Sequence, residues 1–159
     1  MNPLIHGTGL VLGETGLVIR GPSGAGKSLL ALWLIRDWRQ AGRRALLVAD
    51  DQVMVEASGT GLVMRAPGGI AGLAELRGRG IVQRAHVPEA RLDLVVDLVT
   101  DWERMPEENA FSTELCNQPL ARCPVPRAGL IPFAHQILLI EEAIAGVAAE
   151  NPPARQKDT

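Results

Sequence analysis

The sequence predicts an α/β domain in which short apolar strands pack against two helices. Short apolar runs separated by glycine-rich turns recur along the chain, which is typical of strands and hairpins. Two longer segments, LLALWLIRDWRQ and FAHQILLIEEAIAGVAAE, have the composition and spacing of helices with a buried face. A third feature is the glycine-rich segment GPSGAGKS, which separates a predicted strand from the first of these helices.

Length and composition predict one compact domain over residues 1–150. The chain has 159 residues, of which 47% are hydrophobic and 21% charged, with a formal net charge of −2. That charge gives no reason to expect binding to nucleic acid or to a membrane surface. No apolar run approaches the roughly 18 residues of a transmembrane helix, and no signal peptide is recognisable. Cys116 and Cys123 are interpreted as unpaired thiols in a reducing cytoplasm.

The first half of the chain is predicted to alternate hairpins with one helix. LIHGTGLVL and GLVIR form a hairpin joined by GET, and the helix that follows GPSGAGKS ends near Gly42. RALLVAD is a buried strand because its apolar run is continuous. QVMVEA and LVMRAP form a second hairpin around SGTG.

In the second half, the pattern predicts a short helix at 70–76 and one strand, RLDLVVDLV. The polar, proline-rich stretch from TDWERM to CPVPRAG is predicted to be the least structured part and a candidate mobile loop. A closing helix covers LIPFAHQILLIEEAIAGVAAE, with Pro132 near its start. The last residues, 151–159, are predicted to be a disordered tail.

The segment GPSGAGKS matches the phosphate-binding pattern G-x-x-x-x-G-K-[ST]. Its glycines let backbone N–H groups curl around a phosphate, and the N-terminus of the next helix points at the same oxygens. Lys27 is expected to reach the β- and γ-phosphates, and the Ser28 hydroxyl is expected to face Mg²⁺. The strand before the motif and the helix after it make a chance match untenable. The predicted nucleotide site comprises Gly21, Pro22, Ser23, Gly24, Ala25, Gly26, Lys27 and Ser28.

Two adjacent aspartates, Asp50 and Asp51, end the strand that follows the first helix. One carboxylate at this point helps to hold magnesium in many P-loop proteins. Because side chains alternate along a strand, one aspartate is expected to face the phosphates and the other to turn away, unless the chain bends. A carboxylate beside the γ-phosphate could also take the proton from an attacking hydroxyl, which a kinase needs. We predict that Asp50 has this task, since it ends the buried strand directly.

In this order of motifs the chain resembles the catalytic domain of bacterial HPr kinase/phosphorylase. HGTGLVLGETGLVIRGPSGAGKS resembles the family's His-Gly strand, hairpin and P-loop, and LVADDQV its double-aspartate strand. LAELRGRGIVQ resembles the signature of the E-[IL]-R-G-x-G-I type, and ERM resembles the Asp-Arg-Leu element. The resemblance covers about residues 4–105. It implies an α/β P-loop kinase domain with a mixed central sheet, related in fold to phosphoenolpyruvate carboxykinase.

The resemblance implies an ATP- and Mg²⁺-dependent serine kinase that acts on HPr, a phosphocarrier protein of the sugar phosphotransferase system. Many members of the family also remove the phosphate by phosphorolysis, and members form hexamers. Carried over to this chain, Asp50 is the proton acceptor, His6 assists it, and Lys27 binds the transferred group. Ser28 and Glu75 bind Mg²⁺, and Arg104 is a catalytic basic residue. The segment 76–83 borders the site.

This sequence departs from the family at two places. The His-Gly strand begins almost at Met1, which indicates a short form without the family's N-terminal domain. A segment of the V-P-V-x-x-G-R-N type, tied to dephosphorylation, is not found; its nearest match is LIPFAHQILL. Two other functions stay open, a small-molecule kinase and a nucleotide-sensing module without catalysis. Arg77 and Arg79 form either a solvated turn or an anion-binding loop.

Overall fold

A central mixed sheet organises the fold, in a computed structural model that describes residues 3–150. Within that range the chain forms eleven strands, two α-helices and a short 3₁₀-helix at Glu108–Phe111. The predicted α/β class with a mixed central sheet is confirmed. The strands are β1 Leu4–Leu12, β2 Thr15–Arg20, β3 Ala45–Ala49, β4 Gln52–Ser58, β5 Gly61–Arg65, β6 Leu73–Leu76, β7 Gly80–Gln83, β8 Glu89–Leu92, β9 Leu94–Val99, β10 Ser112–Leu115 and β11 Gln118–Pro126; the helices are α1 Lys27–Gln40 and α2 Phe133–Glu150.

Nine of these strands form the sheet, in the order β10-β11-β9-β2-β1-β4-β5-β8, with β3 also paired to β1. β9 runs parallel to both β2 and β11, and the other pairs of this sheet are antiparallel. Since β2 and β3 both run antiparallel to β1, their carboxyl ends lie at the same edge. Arg20 pairs with Gly7 there, and Ala49 pairs with Gly9. This edge therefore brings the glycine-rich loop after β2 next to the aspartates after β3.

Helices α1 and α2 cover one face of the sheet, and the two meet where the Trp33 and Phe133 rings pack edge to face with centroids 5.4 Å apart. On α1 the buried residues Leu30, Leu34 and Trp38 recur every four positions, which is the helical stripe expected from the sequence. A second apolar core lies on the opposite face, among the strands from β1 to β5 with β8 and β9. Neither helix has the length and hydropathy needed to cross a bilayer.

The end of α1 follows the sequence prediction. Gly42 adopts a left-handed φ of 76°, and its N–H donates to the carbonyl of Arg39 at 3.0 Å. A left-handed residue just after the last turn is the usual way to satisfy the terminal carbonyls of a helix, and glycine adopts it without a Cβ penalty. The predicted hairpins, β1 with β2 and β4 with β5, are confirmed as well.

Two predictions for the middle of the chain are wrong. Residues 70–76 are not helical: a turn leads into the strand β6 at Leu73–Leu76, which forms a two-stranded sheet with β7. RLDLVVDLV is divided between two strands, because Asp93 interrupts it. The N–H of Asp93 donates to the carbonyl of Gly16 at 2.8 Å, and the N–H of Gly16 donates to the side-chain Oδ2 of Asp93 at 3.0 Å. The chain changes partner there, from β5 to the central pair β2 and β11.

The prediction of a largely unstructured segment after Thr100 is also wrong over most of its length. It contains the 3₁₀-helix, β10, and the nine-residue β11. Prolines in a strand are tolerated where no ladder bond is needed from their nitrogen. β10 pairs with β11 only as far as Ala121, so at Pro124 and Pro126 one edge of β11 has no strand partner among residues 3–150. The predicted tail, 151–159, lies outside the described residues.

Candidate active site

The glycine-rich loop lies between the end of β2 and the start of α1, and its shape follows from two left-handed glycines. Gly24 and Gly26 have φ values of 82° and 96°, a conformation that residues with a Cβ rarely adopt. The Lys27 ammonium donates to the carbonyl oxygens of Gly21, at 2.8 Å, and Pro22, at 3.0 Å. The lysine is therefore folded against its own loop, over the hollow in which the motif binds phosphate.

Lys27 is 8% exposed and lies among charges of both signs. Burial lowers the pKa of Lys27; the carboxylates of Asp51 and Asp50 oppose this shift, and the positive charge of Arg77 adds to it. The net effect lowers the pKa of Lys27 below its usual value of 10.5. These contributions show that both aspartates and one arginine act on the ammonium group at this loop.

Asp50 is buried and is held by three donors. Its Oδ1 accepts from the hydroxyls of Ser28, at 2.7 Å, and Thr8, at 2.8 Å. Its Oδ2 accepts from the backbone N–H of Glu75 at 3.0 Å. The carboxylate therefore ties together the first strand, the start of α1 and the β6–β7 hairpin, and fixes the hydroxyl that the P-loop motif assigns to magnesium.

Asp51 lies in a turn that breaks the alternation of the strand. Its φ is 68°, and the N–H of Gln52 donates to the carbonyl of Asp50 at 2.8 Å across it. Such a tight turn is uncommon for a residue other than glycine. Its side chain is 71% exposed, with an Oδ1 3.5 Å from Nδ1 of His6. The chain bends at Asp51, which is the exception that the prediction from strand alternation allowed, and the Asp51 carboxylate lies beside His6 rather than among the donors around Asp50.

The β6–β7 hairpin borders the same loop. Glu75 reaches Asp50 through its backbone, while its side chain is exposed to solvent. The guanidinium of Arg77 lies against the P-loop: a Cβ atom at Gly24 would be 3.9 Å from Nη1 and 4.0 Å from Nη2 of this arginine. The structure thus favours an anion-binding role for Arg77. No contact of the Arg79 side chain distinguishes its two interpretations.

Arg104 is the one predicted catalytic residue that lies elsewhere among residues 3–150. It is exposed and lines a cavity of about 680 Å³ between α2, β11 and the loop after β9. None of the residues of GPSGAGKS lines this cavity. A catalytic role for Arg104 stays a prediction that no contact with Lys27 or Asp50 supports.

Two parts of the site were missed by sequence reasoning. Thr8 lies two positions after His6 on β1, so a polar residue at alternate spacing in an apolar strand was an available signal. The second part is the loop 127–131 between β11 and α2: a Cβ atom at Gly26 would lie 3.6 Å from the Cβ of Ala128. This loop occupies the flank of the P-loop and contains Leu130, which is 46% exposed.

The residues present fit a nucleotide with magnesium. Mg²⁺ is usually held by one or two protein groups together with phosphate oxygens and water, rather than by an all-protein cage. Within residues 3–150, no group of three His, Cys, Asp or Glu side chains is arranged to hold a metal ion. Ser28 and Asp50 supply the hydroxyl and carboxylate expected at such a site, and Lys27 supplies the cation for the phosphates.

These features are typical of P-loop domains of the kinase type. The chain belongs to the family described as HPr Serine kinase C-terminal domain, whose model matches residues 2–150. The HPr kinase/phosphorylase of Clostridium acetobutylicum is 30% identical over 153 residues, which cover 89% of this chain and 47% of that protein. The enzyme of the same name from Exiguobacterium sibiricum is 43% identical over 79 residues, covering 49% of this chain and 24% of that one.

A solved structure described as the Hpr(Ser) kinase/phosphatase from Coxiella burnetii has the same fold. Its TM-score is 0.74 at 23% sequence identity, and the match covers 94% of this chain and 92% of that one. The chain spans about half, or less, of the length of the curated relatives that it matches.

Proposed function

We propose that this chain is the catalytic domain of a serine kinase that transfers the γ-phosphoryl group of ATP to an HPr-like phosphocarrier protein of the phosphotransferase system, in a Mg²⁺-dependent reaction in the cytoplasm. The observation that carries the proposal is the group formed by Lys27, Ser28, Asp50 and Asp51 around one phosphate-binding loop. A nucleotide switch needs the first three of these residues. A kinase needs, in addition, a carboxylate that an incoming hydroxyl can reach.

In the proposed reaction the acceptor serine oxygen attacks the γ-phosphorus, and the bond from that phosphorus to the β–γ bridging oxygen breaks. ADP leaves, and the serine proton passes to a carboxylate of the enzyme. Such reactions leave the protein little covalent work, so positioning and charge stabilisation supply most of the catalysis. Lys27 supplies charge at the β- and γ-phosphates, and the loop N–H groups orient them.

The surroundings of the two aspartates favour Asp51, rather than the predicted Asp50, as the proton acceptor. Asp50 already accepts three hydrogen bonds and is 7% exposed, which suits the orientation of Ser28. Asp51 is open to a protein substrate and lies beside His6, whose imidazole stabilises the carboxylate or relays the proton. In this assignment the two carboxylates still have different roles: Asp51 accepts the proton, and Asp50 orients Ser28.

Magnesium, when bound, neutralises charge on the β- and γ-phosphates. Ser28 would hold it through its hydroxyl, and Glu75 through its exposed carboxylate, the role that the family resemblance gives it. Glu75→Gln is expected to raise the Mg²⁺ concentration needed for half-maximal rate, with little change in melting temperature. An unchanged magnesium titration would remove Glu75 from the metal site.

The proposal includes phosphorolysis and assembly into a homo-oligomer, a hexamer by resemblance. In the reverse reaction the phosphoryl group passes from the serine oxygen to inorganic phosphate, giving pyrophosphate, and the carboxylate returns the proton. Pyrophosphate release from phosphorylated acceptor measures this activity. Light scattering coupled to size-exclusion chromatography measures the mass of the assembly.

The decisive experiment incubates the chain with γ-labelled ATP, Mg²⁺ and a panel of HPr-like proteins, each with a matched variant in which the candidate serine is alanine. Label is expected on the acceptor serine, and Lys27→Ala is expected to abolish transfer. Nucleotide binding without label on any acceptor would favour a sensing module. Label on small metabolites would favour a small-molecule kinase.

Single-turnover kinetics with Asp51→Asn and Asp50→Asn then separate the aspartates. A positioned base contributes on the order of 10²–10⁴-fold, so Asp51→Asn should lose about that much in rate while Mg-ATP affinity changes little. Asp50→Asn should act mainly by raising the magnesium requirement. A near-wild-type rate for Asp51→Asn with a collapsed rate for Asp50→Asn at saturating Mg²⁺ would restore the original assignment.

A further inference from the structure

The turn between β6 and β7 carries Arg77, which has no role in the reaction proposed above. We propose that Arg77 is an arginine supplied in cis that binds the β–γ bridging region of the nucleotide and stabilises the charge that develops as the γ-phosphoryl group leaves. The inference rests on the proposed phosphoryl transfer and assigns Arg77 a catalytic role in it.

The position of the guanidinium is the first argument. Its two terminal nitrogens lie 3.9 and 4.0 Å from the place where a Cβ of Gly24 would be, so the planar group lies against the open side of the P-loop backbone. Gly24 precedes Lys27 by three residues, and Lys27 reaches the β- and γ-phosphates in this motif. A phosphate cradled by this loop would therefore have both the Lys27 ammonium and the Arg77 guanidinium near it.

The charge of Arg77 is the second argument. Within residues 3–150 the ion pairs of arginine involve Arg20, Arg65, Arg91 and Arg122, so Arg77 has no carboxylate partner there. Its guanidinium lies instead near Gly24, on the same loop that holds the Lys27 ammonium. Two cations held near each other at one loop repel, and an anion between them removes that repulsion. The arrangement suits a polyphosphate better than a solvated surface arginine.

The hairpin that carries Arg77 is anchored to the catalytic residues. The Glu75 N–H bonds to Asp50 at 3.0 Å, two residues before Arg77. The turn is closed by the N–H of Arg79, which donates to the carbonyl of Leu76 at 2.9 Å, and Gly78 has a left-handed φ of 90°. The arginine is thus positioned by the same carboxylate that orients Ser28, and not by a free loop.

The chemistry of guanidinium matches the need at this point. Breaking the bond to the γ-phosphorus moves negative charge onto the bridging oxygen of the leaving diphosphate. A guanidinium has five N–H donors in a plane and can bond two phosphate oxygens at once, whereas an ammonium acts as a point charge. Arginines that stabilise this charge contribute about 10³–10⁵-fold in kcat in P-loop enzymes.

The experiment compares Arg77→Ala and Arg77→Lys with Arg84→Ala, a control that removes an exposed arginine just after β7 whose side chain donates to the carbonyl of Gln83. Titration calorimetry with Mg-ADP, with and without aluminium fluoride, measures how much the transition-state mimic tightens binding. Single-turnover transfer gives the rate, and thermal unfolding monitors folding. The fluoride titration needs no acceptor protein, so it tests Arg77 even if no HPr-like substrate is phosphorylated.

The expected result is specific to Arg77. Arg77→Ala should change Mg-ADP affinity by less than about fivefold, lose the tightening by aluminium fluoride, and lose about 10³-fold or more in transfer rate. Arg77→Lys should recover only part of both, and Arg84→Ala should behave as wild type. The inference is overturned if Arg77→Ala keeps the fluoride-dependent tightening, if it weakens Mg-ADP with and without fluoride equally, or if the wild-type protein shows no tightening at all.

Discussion

Asp50 offers a test of how far one carboxylate holds the site together, through the pair Asp50→Ala and Asp50→Asn. Alanine removes the acceptor of three hydrogen bonds at once. Ser28 is partly exposed and can turn to water, but Thr8 is 1% exposed and the Glu75 N–H is fixed in β6. Each stranded donor costs about 1–3 kcal/mol, so Asp50→Ala should lose roughly 2–6 kcal/mol of the free energy of unfolding.

Asparagine should behave differently, because the donors around Asp50 are not alike. Its amide oxygen can face the Glu75 N–H, while its NH₂ group donates to the two hydroxyls, which rotate to accept. All three contacts survive as neutral hydrogen bonds, which are weaker than charge-assisted ones, so a loss of about 1–2 kcal/mol is expected. The measurement is urea unfolding of both variants, followed by circular dichroism at pH 7.

The result that refutes this reasoning is equal stability of the two variants. If Asp50→Ala loses less than about 1 kcal/mol, the donors find water and the carboxylate does not organise the site. If Asp50→Asn is as unstable as Asp50→Ala, the negative charge rather than hydrogen-bond geometry is what Thr8 and Ser28 require. Both outcomes are read without nucleotide, so they are independent of the proposed activity.

Three further predictions concern stability and reactivity. Burial would raise the pKa of Asp97, but the hydrogen bonds and charges of Arg20 and Arg122 lower this pKa below 3.8. The ionised Asp97 therefore stabilises the folded state fully above about pH 3.8, and this contribution is lost as the pH falls through the folded-state pKa. The difference in free energy of unfolding between wild type and Asp97→Asn should accordingly stay constant from pH 7 to 5 and narrow below pH 4, and a difference that widens in acid would contradict it. Burial raises the pKa of the Cys123 thiol to about 12. Iodoacetamide at pH 8 should therefore label Cys116 in the folded protein and Cys123 only in denaturant, as measured by mass spectrometry of the peptides. Equal labelling of the two cysteines in the folded protein would contradict the burial of Cys123. Gly16→Ala should prevent normal folding, because the new Cβ would lie 1.7 Å from a backbone oxygen of β8. Gly146→Ala, at an open position of α2, should instead raise the free energy of unfolding by about 0.5–1 kcal/mol. Thermal melts of both variants test this, and a normally folded Gly16→Ala protein would refute the close packing of β2 on β8.

The sequence by itself determined the elements whose signal is local. The helix α1 with its buried face and the hairpins with glycine-rich turns are specified through near neighbours, and both appear where predicted, with GPSGAGKS between β2 and α1. The order of P-loop, double aspartate and ELRGRGI was enough to predict the family, because that combination is specific.

Only the tertiary structure decided the features that depend on distant partners. The segment 70–76 has a weak helical pattern, but pairing with β7 and the bond from Glu75 to Asp50 make it a strand. The prolines in CPVPRAG favour a loop by their local preference. β11 nevertheless tolerates them, because β9 supplies hydrogen bonds on one edge and the other edge has no strand partner near Pro124 in the described part of the chain. The side-chain directions of the two aspartates could not be predicted from the sequence, because strand alternation ends at the turn formed by Asp51. That turn is held by a hydrogen bond from the N–H of Gly7, 44 residues earlier in the chain, to the carbonyl of Asp51.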